Sequence, residues 1–379
     1  MPIPPLLLLF WLIGLLSILL LGVSGGLIWE WYDNWIRDLP ANPRFLVGGL
    51  VLLTLGLLGR PLVMAFLGRK LRVGEDDPRP LTGGTVERLS RPDGSVLHVE
   101  AHGPVDAPVL LFTHGWGLSS AEWFYAQQHL SDRYRLLLWD LPGLGQSREA
   151  RRHDRDLTHF AGDLNAVLNL AGDRPVILCG HSIGGMITLT FCRLFPERLS
   201  QQVKGLVLTH TTYTNPVETA LGARFFRPMQ RAVLRPLCSL TVALSPLMQV
   251  TNFLSELNGS AHLLNHFMQF GRQETRGQLQ FFTTLGQRAN PAVVARGMQA
   301  MMDYEALDVL PEIGVPTLVI AASGDKVTLP SASQVMTAKL PRAKEVMLAP
   351  AGHLGLIEHH EAWAKAISDF AEICLSKGR

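Results

Sequence analysis

The chain has 379 residues, which is enough for one large domain or two ordinary ones. Its net charge is only +2 and no basic cluster is interleaved with aromatic residues, so the sequence excludes a nucleic-acid-binding surface. Hydrophobic residues make up 47% of the chain and charged residues 17%, which excludes a largely disordered protein.

The excess of apolar residues is concentrated at the N-terminus. No charged side chain occurs from Met1 to Trp29. A helix of about 20 apolar residues can cross a bilayer, so we expect a first span at about residues 5–28. A secretory signal peptide is the alternative, with a cleavage site near Val23–Gly26. Such a peptide begins with basic residues, and no Lys or Arg precedes this apolar run.

A second apolar stretch covers about residues 45–68 and is interrupted by Arg60 and Pro61. An arginine at mid-membrane costs about 2.5–3.5 kcal/mol on insertion scales, which Leu-rich flanks can offset. We therefore expect a helical hairpin, with residues 1–72 forming a membrane anchor. The alternative is one span followed by a segment that lies in the interface or packs on the soluble domain.

The residues that flank the two stretches predict how the anchor is oriented. The connecting segment is rich in aromatic residues that are typical of the membrane–water interface: Trp29, Trp31, Tyr32 and Trp35. Basic residues follow the second stretch at Arg69, Lys70 and Arg72, although two arginines in the connecting segment weaken the bias. The charge bias predicts a membrane protein whose main domain lies on the cytoplasmic side.

Residues 73–84 are rich in Pro, Gly and acidic residues and are predicted to be a linker. From residue 85 to 379, short apolar runs alternate with helical segments, which predicts an α/β domain with a mostly parallel sheet. Eight strands are expected, the first two as a hairpin: Thr85–Ser90, Val96–Ala101, Val109–Thr113, Leu136–Trp139, Val176–Gly180, Gly205–Thr209, Thr317–Ala322 and Glu345–Leu348.

A helical insertion at about residues 214–305 separates the sixth and seventh predicted strands. Helices are expected at Pro216–Leu234, Leu237–Leu254, His262–Gly271, Thr275–Leu285 and Pro291–Met302. The segment is rich in Phe and Met, which suit both an irregular core and a pocket for apolar ligands. It is predicted to form a cap, and an acyl pocket beneath it remains one of two compatible interpretations.

The sequence Gly-His-Ser-Ile-Gly at 180–184 lies between a predicted strand and a predicted helix. In that context Gly-x-Ser-x-Gly presents a serine at the tip of a tight turn, which makes Ser182 a candidate nucleophile. The pattern alone is weak, because an ordinary strand–turn–helix junction in a glycine-rich chain can carry it.

A nucleophilic serine needs a base and a group that orients the base. Of the 13 histidines, His353 is best placed, in the loop after the last strand. The orienting carboxylate is expected after a strand between the serine and the histidine, which favours Asp325 over its rivals Asp303 and Asp308.

Oxyanion donors are expected from two backbone N–H groups, those of Ile183 and Trp116. Ile183 directly follows the candidate nucleophile. Trp116 lies in the loop His114–Gly117, after the strand Val109–Thr113, where glycines on both sides allow the backbone to turn. His114 either holds this loop or contacts substrate.

With these pieces in this order, the chain resembles α/β-hydrolase-fold enzymes over about residues 84–379. The matching segments are His114–Gly117, Asp140–Ser147, Gly180–Gly185, Ser323–Asp325 and Gly352–His353. The resemblance implies an eight-stranded, mostly parallel sheet with a cap after the sixth strand. It also implies that Asp140–Ser147 is a structural turn. Relatives that use an aspartate nucleophile, such as dehalogenases and epoxide hydrolases, are disfavoured by Ser182.

The sequence thus predicts a membrane-anchored serine hydrolase that cleaves a small-molecule acyl ester, with a lipid-like ester such as a monoacylglycerol as the favoured class. A thioesterase, an acyltransferase and a non-catalytic protein that binds a lipid or a partner through its cap remain alternatives. No motif for a metal or an organic cofactor is present, so none is expected. The oligomeric state is left open.

Overall fold

The computed structural model of the protein describes residues 4–68, 77–79, 83–150 and 156–376. The basic residues Arg69, Lys70 and Arg72 and most of the predicted linker at 73–84 lie outside the described residues. Within the linker, the described Asp77 accepts a hydrogen bond from Thr275 Oγ1 at 2.6 Å.

Eight strands form a single sheet in the order β1-β2-β4-β3-β5-β6-β7-β8. The pairs β1–β2 and β2–β4 are antiparallel, and all other pairs are parallel. The strands are β1 Thr85–Ser90, β2 Val96–His102, β3 Val109–Thr113, β4 Arg135–Trp139, β5 Val176–His181, β6 Val203–Thr209, β7 Thr317–Ala322 and β8 Ala343–Leu348. The predicted mostly parallel sheet of eight strands is confirmed, including the first hairpin.

Sixteen α-helices lie in the described ranges and are numbered in chain order. They are α1 Pro4–Ile36, α2 Pro43–Leu58, α3 Arg60–Gly68, α4 Phe124–Leu130, α5 Leu157–Leu168, α6 Ile183–Leu194, α7 Pro216–Thr219, α8 Ala223–Met229, α9 Arg235–Ala243, α10 Ser245–Leu257, α11 Ser260–Met268, α12 Arg276–Gln287, α13 Pro291–Met301, α14 Pro330–Lys339, α15 Gly355–Glu358 and α16 His360–Ser376.

The central strands are buried on both faces, as their continuous apolar runs predict. Residues from α5 and α6, such as Leu164 and Ile187, belong to one buried cluster. Residues from α4 and α16, such as Tyr125 and Trp363, belong to a second one. This three-layer packing leaves the loops after the parallel strands free to meet at one edge of the sheet.

The N-terminal segment is a helical hairpin. Helix α1 is long and apolar enough over Leu6–Ile36 to cross a membrane. It packs antiparallel against α2, because glycines on α2 allow close approach. Gly49 lies against Ile28, and its carbonyl accepts a hydrogen bond from Ser24 Oγ at 2.7 Å.

The second predicted span is not one straight helix, since α2 and α3 meet at a bend of 68° around Gly59. Pro61 has no N–H to donate to Leu57, which ends the regular helix there. Arg60 thus lies at a helix start, with Nη1 3.8 Å from Glu256 of the cap. Beyond the bend, Met64 and Leu67 are buried in the core of the α/β domain.

Helices α7–α13 form the cap between β6 and β7. Two of the predicted cap helices are broken. The first breaks at Gly222, which has a left-handed φ of 81°. The second breaks at Leu244, where α9 and α10 meet; the apolar helical segments on its two sides are bent by 93°. Pro246 cannot donate to Val242, which explains the second break.

Candidate active site

Ser182 lies at the junction of β5 and α6, with a left-handed φ of 53° that is rare for a residue with a side chain. Two neighbouring glycines make the turn possible. A Cβ on Gly180 would lie 2.4 Å from the backbone of Gly184, and one on Gly184 would lie 2.1 Å from Thr113 O. The turn therefore holds Ser182 in one strained position beside the end of β3, as a nucleophile requires.

His353 and Asp325 meet across the loops that follow β8 and β7. His353 Nδ1 lies 2.8 Å from Asp325 Oδ2, and both side chains are buried. The carboxylate also accepts hydrogen bonds from the backbone N–H groups of Val327 and Thr328 and from Thr328 Oγ1. Asp325 is thus fixed as an acceptor, so Nδ1 of His353 carries the proton and Nε2 has a free lone pair.

The protonation states of this pair suit a base and its orienting group. Burial opposes ionisation of Asp325, but the charge and hydrogen bond of His353 outweigh it and hold the pKa of Asp325 below its ordinary value. Burial lowers the pKa of His353, although Asp325 acts in the opposite direction. At neutral pH this leaves an ionised Asp325 and a neutral His353.

The nitrogen that a catalytic base would use is unoccupied by protein groups. Nε2 of His353 is buried and has no hydrogen-bond partner among the described residues, Ser182 Oγ included. Hydrogen bonds of this kind are often long in an unliganded site and tighten when substrate binds. The residue before the serine contacts the histidine loop, since His181 Nε2 lies 3.1 Å from the backbone oxygen of His353.

The two expected oxyanion donors remain a prediction: the Ile183 N–H lies at the first residue of α6, and the Trp116 N–H lies in the loop after β3. Within the described ranges, neither the Ile183 N–H nor the Trp116 N–H donates to a protein acceptor. The loop around Trp116 is held by His114, which bonds to Gly115 O through Nδ1 and accepts from Leu141 N–H through Nε2. His114 therefore has both ring nitrogens engaged in holding the loop.

A buried polar network behind the site escaped the sequence analysis. Glu122 bonds to His181 Nδ1 and accepts from Gly115 N–H at 2.8 Å. His181 and His210 both bond to the carbonyl of His353, at 3.1 and 2.9 Å. One network thus joins the loop around Trp116, the residue before the candidate nucleophile and the backbone of the candidate base.

The charges in this network are compensated. Burial disfavours the ionised form of Glu122, but the charge and hydrogen bond of His181, with the Gly115 N–H, keep the pKa of Glu122 below its ordinary value. Burial, reinforced by the nearby His181, lowers the pKa of His210 to about 3, so its ring is neutral and donates through Nδ1.

A second carboxylate ties the histidine loop to the cap. Glu358 accepts hydrogen bonds from the backbone N–H groups of Gly271, Gln273 and Gly352, at 2.8, 2.9 and 2.8 Å. Gly352 directly precedes His353, so this contact sets the loop against the cap. The rivals of Asp325 lie elsewhere and form ion pairs at the surface, Asp303 with Arg235 and Asp308 with Arg193.

A cavity lies between the cap, α1 and the loops that follow β3 and β8. Its lining is mostly apolar and includes Gly117, Leu118 and Leu354 from the loops near the candidate site, Met248 and Met298 from the cap, and Leu7 and Phe10 from α1. Ser182 and His353 are not part of the lining, although Leu354 directly follows His353 in the chain. The N-terminal helix, predicted only as an anchor, therefore forms part of a pocket wall.

No group of three or more His, Cys, Asp or Glu side chains in the described ranges is arranged to hold a metal ion. The segment Asp140–Ser147 forms a turn around the Asp140 carboxylate, which accepts from the N–H groups of Ser120 and Gln146.

Sheet order, cap position and the sequence of serine, aspartate and histidine define an α/β hydrolase with a serine nucleophile position. The chain belongs to the α/β-hydrolase fold family, whose model matches residues 108–360. It is an esterase-type member, since it is 27% identical over 283 residues to the pimeloyl-[acyl-carrier protein] methyl ester esterase of Stenotrophomonas maltophilia. That alignment covers 72% of this chain and 96% of the relative.

Two solved structures illustrate the shared fold. An esterase from Exiguobacterium antarcticum matches with a TM-score of 0.60 and 20% identity, over 76% of this chain and all of the other. A membrane phospholipase A, described as a bacterial virulence factor, matches with a TM-score of 0.59 and 23% identity. The match covers 87% of this chain and 98% of the phospholipase chain.

Proposed function

We propose that the protein is a membrane-anchored serine esterase that hydrolyses lipid-like acyl esters, with Ser182, His353 and Asp325 as its catalytic residues. The proposal rests on one observation above all. Ser182 lies in a strained turn, the preceding His181 contacts the backbone of His353, and the buried His353 has its Nδ1 fixed by an ionised aspartate while its Nε2 has no hydrogen-bond partner among the described residues. Buried His98, His210 and His262 also have one nitrogen without a partner among the described residues, so the combination with Asp325 and the serine turn is what favours His353.

In the proposed reaction, Ser182 Oγ attacks the ester carbonyl while its proton passes to His353 Nε2. Asp325 stabilises the resulting imidazolium. The N–H groups of Ile183 and Trp116 donate to the tetrahedral oxyanion. The carbon–oxygen bond to the alcohol then breaks, and His353 returns the proton to the leaving oxygen. Water, deprotonated by His353, attacks the acyl-enzyme, and the acid and free Ser182 are released.

Three observations support a lipid-like substrate and a membrane location. The cavity beside the catalytic loops is mostly apolar and is closed on one side by Leu7 and Phe10 of α1. Helix α1 is long and apolar enough to cross a membrane, and α2 packs along it. A membrane phospholipase A has the same fold, and the esterase relative is named for the methyl ester of an acyl chain on a carrier protein.

The test begins with a fluorophosphonate probe, which labels an activated serine. We expect labelling of the wild type and none of Ser182→Ala. Ser120→Ala is the matched control, because Ser120 is also buried and lies in the loop near the site, and it should label like the wild type. Equal labelling of Ser182→Ala would refute the assignment of the nucleophile.

Substrate class is tested with p-nitrophenyl esters of rising chain length in detergent micelles. A lipid esterase should show kcat/KM rising with chain length until the cavity is filled. Activity that is flat or falls with chain length would refute the lipid-like substrate while leaving the esterase mechanism in place. Transfer to added alcohols in preference to water would identify an acyltransferase instead.

A further inference from the structure

The outer face of the cap carries an unusual apolar surface. Residues 236–255 contain no charged side chain, and the helices on the two sides of the α9–α10 break are apolar enough to be considered as a broken membrane span. Large apolar side chains on this face are exposed: Leu240, Leu244, Leu247, Val250 and Phe253. A contiguous patch of this kind on a soluble protein marks an interaction surface.

This surface lies alongside the first turns of α1. Trp11 Nε1 donates to Thr241 Oγ1 at 2.9 Å. Gly14 packs directly on Thr251, since a Cβ there would lie 2.8 Å from the threonine. Asn258 Nδ2 donates to Ser17 Oγ at 2.8 Å. Helix α10 therefore runs beside residues 11–17 of α1.

The length of α1 determines how deep in a bilayer the neighbouring helix α10 lies when α1 spans it. A bilayer core is about 30 Å thick, and a helix rises about 1.5 Å per residue. From Ser17, where the cap contact ends, to Trp29, before the first charged residue, α1 covers only about 18 Å. Starting at Phe10, it covers about 29 Å, close to the full thickness.

The part of α1 that packs on the cap is also apolar on its exposed side. Leu12, Leu15 and Leu16 are 61%, 53% and 63% exposed, although they lie in the stretch that packs on the cap. If α1 spans the membrane, these leucines fill the hydrocarbon only when α10 is immersed beside them. The nearby charges of Arg60 and Glu256 are paired with each other, as charges at such depths are.

Basic residues precede the apolar face along the chain, one of them, Arg227, being paired with Glu218. Arg224, Arg227 and Arg231 are exposed on the helical segment that precedes α9, and Phe225 is exposed among them at 65%. Arginines next to an apolar surface match the anionic headgroups of a leaflet.

We propose that the outer face of α9 and α10 is immersed in the bilayer beside the first turns of α1, so that the cavity between Leu7, Phe10 and Met248 opens at the boundary between headgroups and acyl chains. This proposal rests on the membrane anchoring proposed above. It gives the cap a second role, because a lipid ester could reach the cavity sideways from the leaflet without crossing water.

Depth-dependent fluorescence quenching tests the proposal. Cys374→Ser removes the half-buried cysteine, and Cys179, Cys192 and Cys238 are buried, so a single introduced cysteine can carry an environment-sensitive dye. The labelled positions are Val250→Cys on the cap, Leu19→Cys on the exposed side of α1, and Val86→Cys on strand β1 as the water control. The full chain is reconstituted in vesicles of phosphatidylcholine and phosphatidylglycerol.

We expect doxyl-labelled lipids to quench the dye at positions 250 and 19 and iodide to quench it only at 86. Quenching at 250 by iodide, with 19 still quenched by lipid, would overturn the immersed cap and leave the anchor intact. Iodide quenching at 19 would overturn the anchor and the immersed cap together. Fluorophosphonate labelling of each variant reports independently on the esterase proposal.

Discussion

The two sides of the cavity are held in different ways. On the catalytic side, buried hydrogen bonds fix each group: Asp325 holds His353, and Glu122 joins His181 to the loop around Trp116. On the opposite side, Leu7 and Phe10 of α1 are held mainly by apolar packing against neighbouring buried residues. Hydrogen bonds fix the positions of individual polar groups, whereas apolar packing determines the shape of the cavity wall. Changes on the first side should therefore reduce turnover, and changes on the second should alter stability or substrate choice.

The largest effect is expected on the catalytic side, from Asp325→Asn. The amide cannot hold the same tautomer of His353 or stabilise its imidazolium, so kcat should fall about 10⁴-fold. Steady-state hydrolysis of a short ester measures it. Asp303→Asn is the control, since Asp303 pairs with Arg235 at the surface and should be dispensable. Comparable losses in both variants would contradict the assignment of Asp325.

On the hairpin side, Leu67→Ala tests whether α3 is part of the folded core. Leu67 is 2% exposed and packs in the hydrolase core, so its truncation should reduce the free energy of unfolding by about 2–5 kcal/mol. Leu62→Ala, at a position that is 60% exposed on the same helix, should have little effect. Thermal unfolding in detergent micelles compares them; equal melting temperatures would show that α3 serves only as an anchor.

Glu122→Gln tests the buried network as a positioning device. The amide can still accept from Gly115 N–H, but it removes the negative charge opposite His181. A small displacement of the loop around Trp116 and of His353 should lower kcat about 10²-fold with little change in KM. The rate of fluorophosphonate labelling should fall in the same proportion. A reduced labelled fraction at an unchanged rate would instead show partial unfolding.

Leu7→Trp tests the wall that α1 contributes to the cavity. A larger side chain there should shorten the space for the acyl chain and reduce kcat/KM for long-chain esters about 10-fold, with short esters unaffected. Leu12→Trp is the matched control, because Leu12 lies on the same helix but is 61% exposed. If both variants keep the wild-type chain-length profile, Leu7 does not border the acyl site.

The smallest expected effect is in the pH profile. The proposed mechanism requires neutral His353, and burial lowers the pKa of this histidine below its ordinary value of 6.5. Activity should therefore persist as the pH falls through 6.5, and the acidic limb of kcat/KM should have its midpoint below that pH. A midpoint above 6.5 would show that Asp325 outweighs burial in the working enzyme.

The catalytic side could be predicted from sequence because its signals are local. Ser182, Asp325 and His353 each follow a strand and lie within two residues of a glycine, and parallel strands bring their ends together. Glu122 could not be found in this way, since it lies 59 residues before its partner His181 and belongs to no motif.

The hairpin side was predicted only in outline. An apolar residue that faces lipid has the same sequence pattern as one that faces a pocket, so Leu7 and Phe10 could not be told apart from Leu12. The helix breaks were more accessible. Pro61 and Pro246 each remove a helical hydrogen bond, so both bends could be predicted from the prolines.

The left-handed backbone of Ser182 has a consequence for folding. Such a conformation costs about 1–3 kcal/mol and persists only where the surrounding structure imposes it. Here the constraint comes from the close approach of Gly184 to Thr113 and from the Ser182 N–H bonded to Thr209 O, so strands β3, β5 and β6 must all be in place. A partly assembled sheet would let the turn relax. Fluorophosphonate labelling of Ser182 during refolding should therefore appear only at the last stage of sheet assembly. A reactive Ser182 would then indicate that the sheet is completely folded.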